Sequence, residues 1–95
     1  MTRVVRFGAR YQRAAVRLGV VAGSERGRAV GKTIVALAMA EVLPGPGDTR
    51  ALIPPTGAAF VRRVPGRNLW VWYRAEGDTL YLAHLSSDPP VPVDE

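Results

Sequence analysis

The fold is decided by residues 60–85, which read Phe60-Val-Arg-Arg-Val-Pro-Gly-Arg-Asn-Leu-Trp-Val-Trp-Tyr-Arg-Ala-Glu-Gly-Asp-Thr-Leu-Tyr-Leu-Ala-His-Leu85. Three short runs rich in β-branched and aromatic residues are separated by turn signals at Pro65-Gly66 and at Glu76-Gly77-Asp78. This pattern predicts a three-stranded antiparallel meander. Aromatic and basic residues alternate along it, so the strand register decides which of them share a face of the sheet.

Two-residue loops at Pro65-Gly66 and Glu76-Gly77 would give the meander a definite register. They would pair Arg63 with Asn68 and Tyr73 with Leu80, and directly paired residues point to the same side of a sheet. One predicted face is mostly aliphatic and is the expected core face; it carries Phe60, Arg62, Leu69, Val71, Tyr73, Leu80, Leu82 and His84. The other mixes aromatic and cationic groups; it carries Val61, Arg63, Trp70, Trp72, Arg74 and Tyr81.

The chain before the meander predicts one strand and two helices. Residues 2–7 alternate weakly, as a short strand does. Residues 9–18 carry apolar side chains at i, i+3, i+4 and i+7, which is helical spacing. A second helix is expected from an N-cap at Ser24 to about Leu43, where a Pro/Gly-rich loop stops it. Residues 49–53 are a candidate for one more short strand.

A helical hairpin cannot bury its apolar stripes alone and must lie on a sheet. We therefore expect a two-layer α+β domain over residues 1–85, with the N-terminal strand and the helical hairpin packed on one face of a small antiparallel sheet. The other face of the sheet is expected to be largely open. Residues 86–95 contain three prolines and three acids, which predicts an extended or disordered tail.

Size and composition narrow the class of protein. Ninety-five residues make one domain, and 47% apolar residues suit a globular fold. The chain has no cysteine, no apolar run near the ~20 residues of a membrane helix, and no signal-peptide pattern at its start, so a cytoplasmic location without membrane association is expected. The net charge is +5, and all the basic residues except Lys32 are arginines. Arginine favours planar recognition of phosphate or carboxylate, which points to a polyanionic or acidic partner.

Familiar catalytic motifs are missing from the sequence. The stretch from Gly27 to Thr33 approaches a phosphate-binding loop but has one residue too few between its glycines, so Lys32 and Thr33 are expected to be ordinary helix residues. His84 is the only histidine and is expected to be a packing residue. Without a second histidine or any cysteine we expect no metal site, and we predict no cofactor.

The arginines and aromatic residues of the meander are what remains as candidate chemistry. Arg63, Arg67 and Arg74 could hold a phosphodiester and stabilise the anionic phosphorane of RNA cleavage, in which the 2′-OH is the nucleophile. The binding set is expected to comprise the aromatic residues that could stack an unpaired base, together with one more arginine: Trp70, Trp72, Tyr81 and Arg62. The same residues would suit a protein-binding patch somewhat better, since Trp and Arg dominate interface hot spots. Both interpretations stay open.

This layout resembles the RelE/ParE superfamily of bacterial toxins. The similar stretch is Leu69-Trp-Val-Trp-Tyr-Arg-Ala-Glu-Gly-Asp-Thr-Leu-Tyr-Leu-Ala-His-Leu85, an apolar strand ending in Tyr-Arg, an acidic turn and a second apolar strand. The opening Val4-Val-Arg-Phe-Gly-Ala-Arg-Tyr and the helix that follows are also similar. The resemblance implies a toxin that pairs with a cognate antitoxin and acts on ribosome-associated mRNA, by binding or cleavage, or on DNA gyrase without catalysis. A nucleic-acid-binding module without toxicity is the third alternative.

The resemblance leaves the ribonuclease set incomplete. Arg63 matches a basic position on the third strand of nucleolytic members, and Arg74 matches an arginine common to both kinds. The arginine that usually precedes the Val-x-Tyr-Arg segment falls at Trp70, and the usual C-terminal basic and aromatic cluster falls at Ser86-Ser-Asp-Pro-Pro90. Endoribonuclease activity is therefore an expectation that the residues support only in part.

Overall fold

A computed structural model describes residues 2–53 and 57–90. In chain order its elements are β1 (Val4–Phe7), α1 (Ala9–Arg17), α2 (Glu25–Met39), β2 (Thr49–Ile53), β3 (Gly57–Arg63), β4 (Trp70–Glu76) and β5 (Thr79–Ser86). The strands form one sheet in the order β1-β5-β4-β3-β2. The predicted α+β class is confirmed. The expectation that the N-terminal strand packs on the face of an antiparallel sheet is wrong, because β1 is an edge strand of the sheet and pairs in parallel with β5, while the other pairs are antiparallel. Neither of these helices is long and apolar enough to cross a bilayer.

Helix α2 begins where the sequence predicts and ends earlier. The Ser24 hydroxyl accepts a hydrogen bond from the Gly27 amide at 2.9 Å, which is the expected N-cap. A Cβ at Gly27 would lie 2.0 Å from the Val21 carbonyl oxygen, so only glycine lets the connector approach the helix here. The helix stops at Met39 rather than near Leu43, and the extended backbone of Ala40 ends it.

Both hairpin turns differ from the prediction, but the assignment of faces survives. The β4–β5 turn pairs Glu76 with Thr79, and the β3–β4 loop occupies residues 65–68 so that Arg63 pairs with Trp70. Each register is shifted by two residues from the predicted one. A two-residue shift keeps every side chain on its side of the sheet, whereas a one-residue slip would have exchanged the faces.

A β-bulge in β5 corrects the expected position of His84. Tyr73 pairs with Leu82 but Trp72 pairs with His84, so one extra residue is accommodated in β5 between them. The His84 ring lies 5.7 Å from the Trp72 ring, measured between centroids. The prediction that His84 lies on the helix-facing side next to Leu69 is therefore wrong, because the bulge redirects the side chains that follow it.

The sheet has a buried cluster on each face. On the helix side, Tyr73 and its fully buried neighbours pack beneath Leu37 and Val30 of α2 and Ala14 of α1. On the opposite side a smaller cluster is buried without a helix above it, comprising Ala51, Ala59, Val61, Trp72 and Ala83, with Trp70 packed against it. No helix covers this second face, as expected, but part of it is buried by its own side chains, because the tryptophans pack against small residues of the neighbouring strands.

The loop before β2 is attached to the sheet by a buried carboxylate. The Asp48 side chain is 1% exposed, and Arg62 of β3 reaches it with Nε at 2.7 Å from Oδ1 and Nη2 at 3.0 Å from Oδ2. The Tyr73 hydroxyl and the Gly45 amide both donate to Asp48 Oδ2. Four donors therefore satisfy a charge that would otherwise be costly to bury.

The hydrogen bonds also determine how this carboxyl titrates. Burial acts to raise the pKa of Asp48, but the hydrogen bonds from Arg62, Tyr73 and Gly45 outweigh it, and the pKa is lowered from its ordinary 3.8. Burial, followed by the hydrogen bond to Asp48, raises the pKa of Tyr73. A carboxyl with a lowered pKa in the folded state stabilises the protein above the pKa of the unfolded state, and this stabilisation is lost as the pH falls through the folded value.

We predict that Asp48→Asn lowers the free energy of unfolding at pH 7 by about 2–3 kcal/mol, because Arg62 loses its charged partner while mostly covered. The substitution should also flatten the fall in stability below pH 3.8. Tyr73→Phe is the comparison; it removes one of the four donors, costs about 1 kcal/mol and reduces the acid dependence only in part, because Arg62 and Gly45 still lower the pKa of Asp48. Urea denaturation from pH 2 to pH 7 measures both, and an equal acid dependence in Asp48→Asn and the unsubstituted chain would contradict the assignment.

Candidate nucleic-acid interface

The candidate site is the side of the sheet opposite the helices, here called the tryptophan face. It carries five of the side chains predicted from the sequence: Arg63, Trp70, Trp72, Arg74 and Tyr81. The same alternation that buries Val71 and Tyr73 under the helices turns these side chains the other way. Their surroundings differ, and only some of them can reach a ligand.

Arg63 and Trp70 form the exposed aromatic and cationic pair of this face. They are direct partners in the β3–β4 register, and Cζ of Arg63 lies 5.6 Å from the centroid of the Trp70 ring. Arg63 Nε donates to the Arg67 carbonyl at 2.9 Å, and its Nη2 donates to Asn68 Oδ1 at 3.1 Å. The loop residues therefore hold the guanidinium in place over the ring. Trp70 is half-buried, so part of its surface is open to a stacking partner.

Trp72 is a packing residue. Trp72 is 8% exposed, and its indole Nε1 donates a hydrogen bond to Ser86 Oγ at 2.9 Å. The His84 ring covers it from β5. An unpaired base therefore cannot stack on Trp72, and Trp70 is the tryptophan that a ligand can reach.

Arg74 of β4 and Tyr81 of β5 are direct partners in the β4–β5 register, toward the other end of β4 from Trp70. Arg74 is half-buried and its Nε donates to the Ala58 carbonyl at 3.0 Å. Tyr81 is exposed and its ring lies over Gly8, where an added Cβ would come within 2.5 Å of the hydroxyl oxygen. With Glu76 and Thr79, these two residues line a pocket of about 310 Å³.

The arginines predicted to act together lie apart. Arg63 is level with Trp70, and Arg74 is four residues further along β4, which is about 13 Å at ~3.3 Å per residue. Arg67 turns away from this face, and its Nη2 contacts Glu25 Oε1 of α2 at 2.6 Å. Arg62 lies on the helix side, bound to Asp48. One phosphate therefore cannot contact all of Arg63, Arg67 and Arg74 in this arrangement.

Helix α1, which contacts β5, carries several basic residues. Burial, then the charges of Arg10 and Arg17, lower the pKa of His84 from its ordinary 6.5. Arg10 and Arg17 are seven residues apart and therefore lie on one side of α1; this spacing is the feature of the sequence that indicates their common direction.

His84 itself is held in an unusual setting. Its Nδ1 is buried and has no hydrogen-bond partner among residues 2–53 and 57–90. Within the same residues no three His, Cys, Asp or Glu side chains lie close enough together to hold a metal ion. The face therefore offers cations and aromatic surface as its chemistry.

Comparison with known proteins gives no family: no protein-family model, no curated protein and no solved structure matches the chain.

We predict that the two tryptophans differ in how much each contributes to stability and in how accessible each is to a quencher. Trp72→Ala should cost about 3–5 kcal/mol of unfolding free energy, because it empties a packed site, whereas Trp70→Ala should cost much less. In the single-tryptophan variants, acrylamide should quench the fluorescence of Trp70 in Trp72→Phe more strongly than that of Trp72 in Trp70→Phe. Equal quenching would contradict the burial described for the indole of Trp72.

A second prediction concerns His84. Its lowered pKa means that the unfolded chain takes up a proton first, so stability should fall as the pH drops below 6.5 and level off below the folded pKa. Arg10→Gln with Arg17→Gln should raise the pKa of His84, because two nearby positive charges are removed. NMR titration of the His84 ring measures this shift, with Arg26→Gln and Arg28→Gln as the charge-matched control. If the control pair moves the titration as far, the arginines of α1 are not neighbours of His84.

Proposed function

We propose that this protein is the toxin component of a toxin–antitoxin pair of the RelE/ParE kind, and that it acts by binding single-stranded, ribosome-associated mRNA on the tryptophan face. The supporting observation is Arg63, which the β3–β4 loop holds over the accessible ring of Trp70. A cation beside an open aromatic surface binds a phosphate and a stacked base together. The order of strand, two helices and antiparallel strands supports the resemblance to this superfamily.

The spacing of the arginines favours an extended binding surface for a single strand of RNA. Arg63 and Arg74 are separated along β4 by about 13 Å, which suits contacts with different phosphates of one chain. Trp70 at one end and Tyr81 at the other supply aromatic surface near each arginine. The arginines of α1, which contacts β5, add positive charge that would steer RNA toward the protein.

The same spacing favours binding over cleavage. Cleavage by charge stabilisation requires cations aimed at the one phosphate that becomes the phosphorane. Arg62 and Arg67 are engaged with carboxylates elsewhere, and Arg63 and Arg74 are far apart. The protein would then inhibit translation by occupying the message, and an acidic segment of the antitoxin would cover Arg63 and Trp70 to prevent it.

The proposal is tested by titrating a short single-stranded RNA with the full chain. Trp70→Ala should weaken binding by about 1–3 kcal/mol through lost stacking, and Arg63→Gln should reduce the slope of log K against log salt by about 0.7. Lys32→Gln is the matched control, because it removes one charge from an exposed position on α2, on the other side of the sheet. An equal effect of Lys32→Gln would show that binding follows net charge and not this face.

Expression in bacteria tests the biological part of the proposal. The unsubstituted chain should arrest growth and protein synthesis while messages stay intact, and Trp70→Ala should relieve the arrest. Specific mRNA cuts would show that the protein acts by cleaving RNA and not by binding alone. Impaired DNA supercoiling with normal translation would point to gyrase as the target. Normal growth at full expression would overturn the toxin assignment.

A further inference from the structure

A second basic site lies on the helix side of the sheet, in a cleft of about 500 Å³ between α2 and the end of β3. We call it the α2–β3 cleft. Its walls carry four cationic side chains, Arg28, Lys32, Arg62 and Arg67, and one carboxylate, that of Glu25. The proposed RNA-binding function uses none of these residues. Its volume falls in the range of about 300–1,000 Å³ that is typical of small-ligand sites.

The helix wall of the cleft places like charges together. Arg28 and Lys32 are separated by one turn of α2 and therefore lie on the same side of it, an arrangement that disfavours a helix unless an anion is nearby. Arg28 Nη1 donates to the Gly23 carbonyl at 2.7 Å, which fixes its position. Lys32 is exposed and makes no ion pair with any residue that the structure describes. This wall is thus preset for a negatively charged group.

The strand wall holds two further guanidinium groups. Asp48 engages only Nε and Nη2 of Arg62, so the Nη1 group is left for a ligand while the side chain stays oriented. Arg67 is paired with Glu25, whose side chain is 78% exposed. An exposed pair of this kind contributes little, so a doubly charged anion can take the place of Glu25.

Between the two charged walls the cleft is apolar. Ala29 and Ala36 contribute only methyl groups from α2, which leaves the space open, and Pro65 forms the opposite surface with the buried Val64 behind it. The Thr33 hydroxyl beneath them donates to the Ala29 carbonyl at a long 3.4 Å. The cleft therefore combines an anion site with room for a flat, weakly polar body.

We propose that the α2–β3 cleft binds a small ligand of the nucleotide class, with a diphosphate held by Arg28, Lys32 and Arg62. The base would lie against Pro65. The three cations match the charge of a diphosphate, and the guanidinium groups offer the planar donor pairs that phosphate oxygens accept. This site and the tryptophan face are on opposite sides of the sheet, so the inference stands apart from the proposed RNA-binding function.

Calorimetric titration of the full chain with ADP, pyrophosphate and adenosine tests the proposal. ADP should bind most tightly and adenosine most weakly, because the charges recognise the diphosphate. Replacing both Arg28 and Lys32 by Gln should weaken ADP binding about tenfold or more, through two lost charge-assisted contacts. Arg13→Gln with Arg17→Gln is the matched control; it removes the same charge at the same spacing from α1 and should leave ADP binding almost unchanged.

Glu25 gives a test with the opposite sign. Glu25→Gln should tighten ADP binding, because it frees Arg67 and removes a competing carboxylate, whereas Glu41→Gln should not. The inference is overturned by an absence of ADP binding, by adenosine binding as well as ADP, or by equal losses in the two double variants. Trp70→Ala should leave ADP binding intact, so a failure of the RNA proposal is distinguishable from a failure of this one.

Discussion

The carboxylate of Asp48 is the constraint on which the arrangement of this small protein depends. It lies at the end of the loop that leaves α2, and it is bound by an arginine of β3 and a tyrosine of β4. Burying a charge requires that its partners be correctly placed, so the carboxylate fixes the loop relative to both central strands at once. It also orients Arg62 along the wall of the α2–β3 cleft. One interaction therefore holds the fold together and shapes a basic site.

The sequence determines the sheet better than it determines the turns. Strand positions follow from alternating apolar residues, and that alternation correctly separated Tyr73 from Trp70 although both turns were assigned to the wrong residues. A shift of two residues leaves no trace in a period-two pattern. The bulge near His84 could not be foreseen for the same reason, because it interrupts the period at a point where apolar residues occupy both faces.

The candidate functional residues were predicted to act together, but in the structure some form ion pairs, one is a packing residue and others remain accessible to a ligand. Composition and alternation identify arginines and tryptophans on one strand, but they do not give the partner of each guanidinium. Asp48 is 14 positions from Arg62, and Glu25 is 42 positions from Arg67, so neither pairing is visible locally. The α2–β3 cleft was missed because its walls come from distant segments. Its only local signal was the spacing of Arg28 and Lys32.

The parallel pairing of β1 with β5 has a consequence for how the chain reaches its folded state. Val4 lies beside Thr79, so the pairing joins residues 75 positions apart, whereas the hairpins of β2 to β5 join near neighbours. Contacts across so long a separation form slowly, because loop-closure entropy must be overcome first. During translation β1 emerges early and has no partner until β5 has left the ribosome. This separation predicts that the antiparallel strands assemble first and that β1 closes the sheet last.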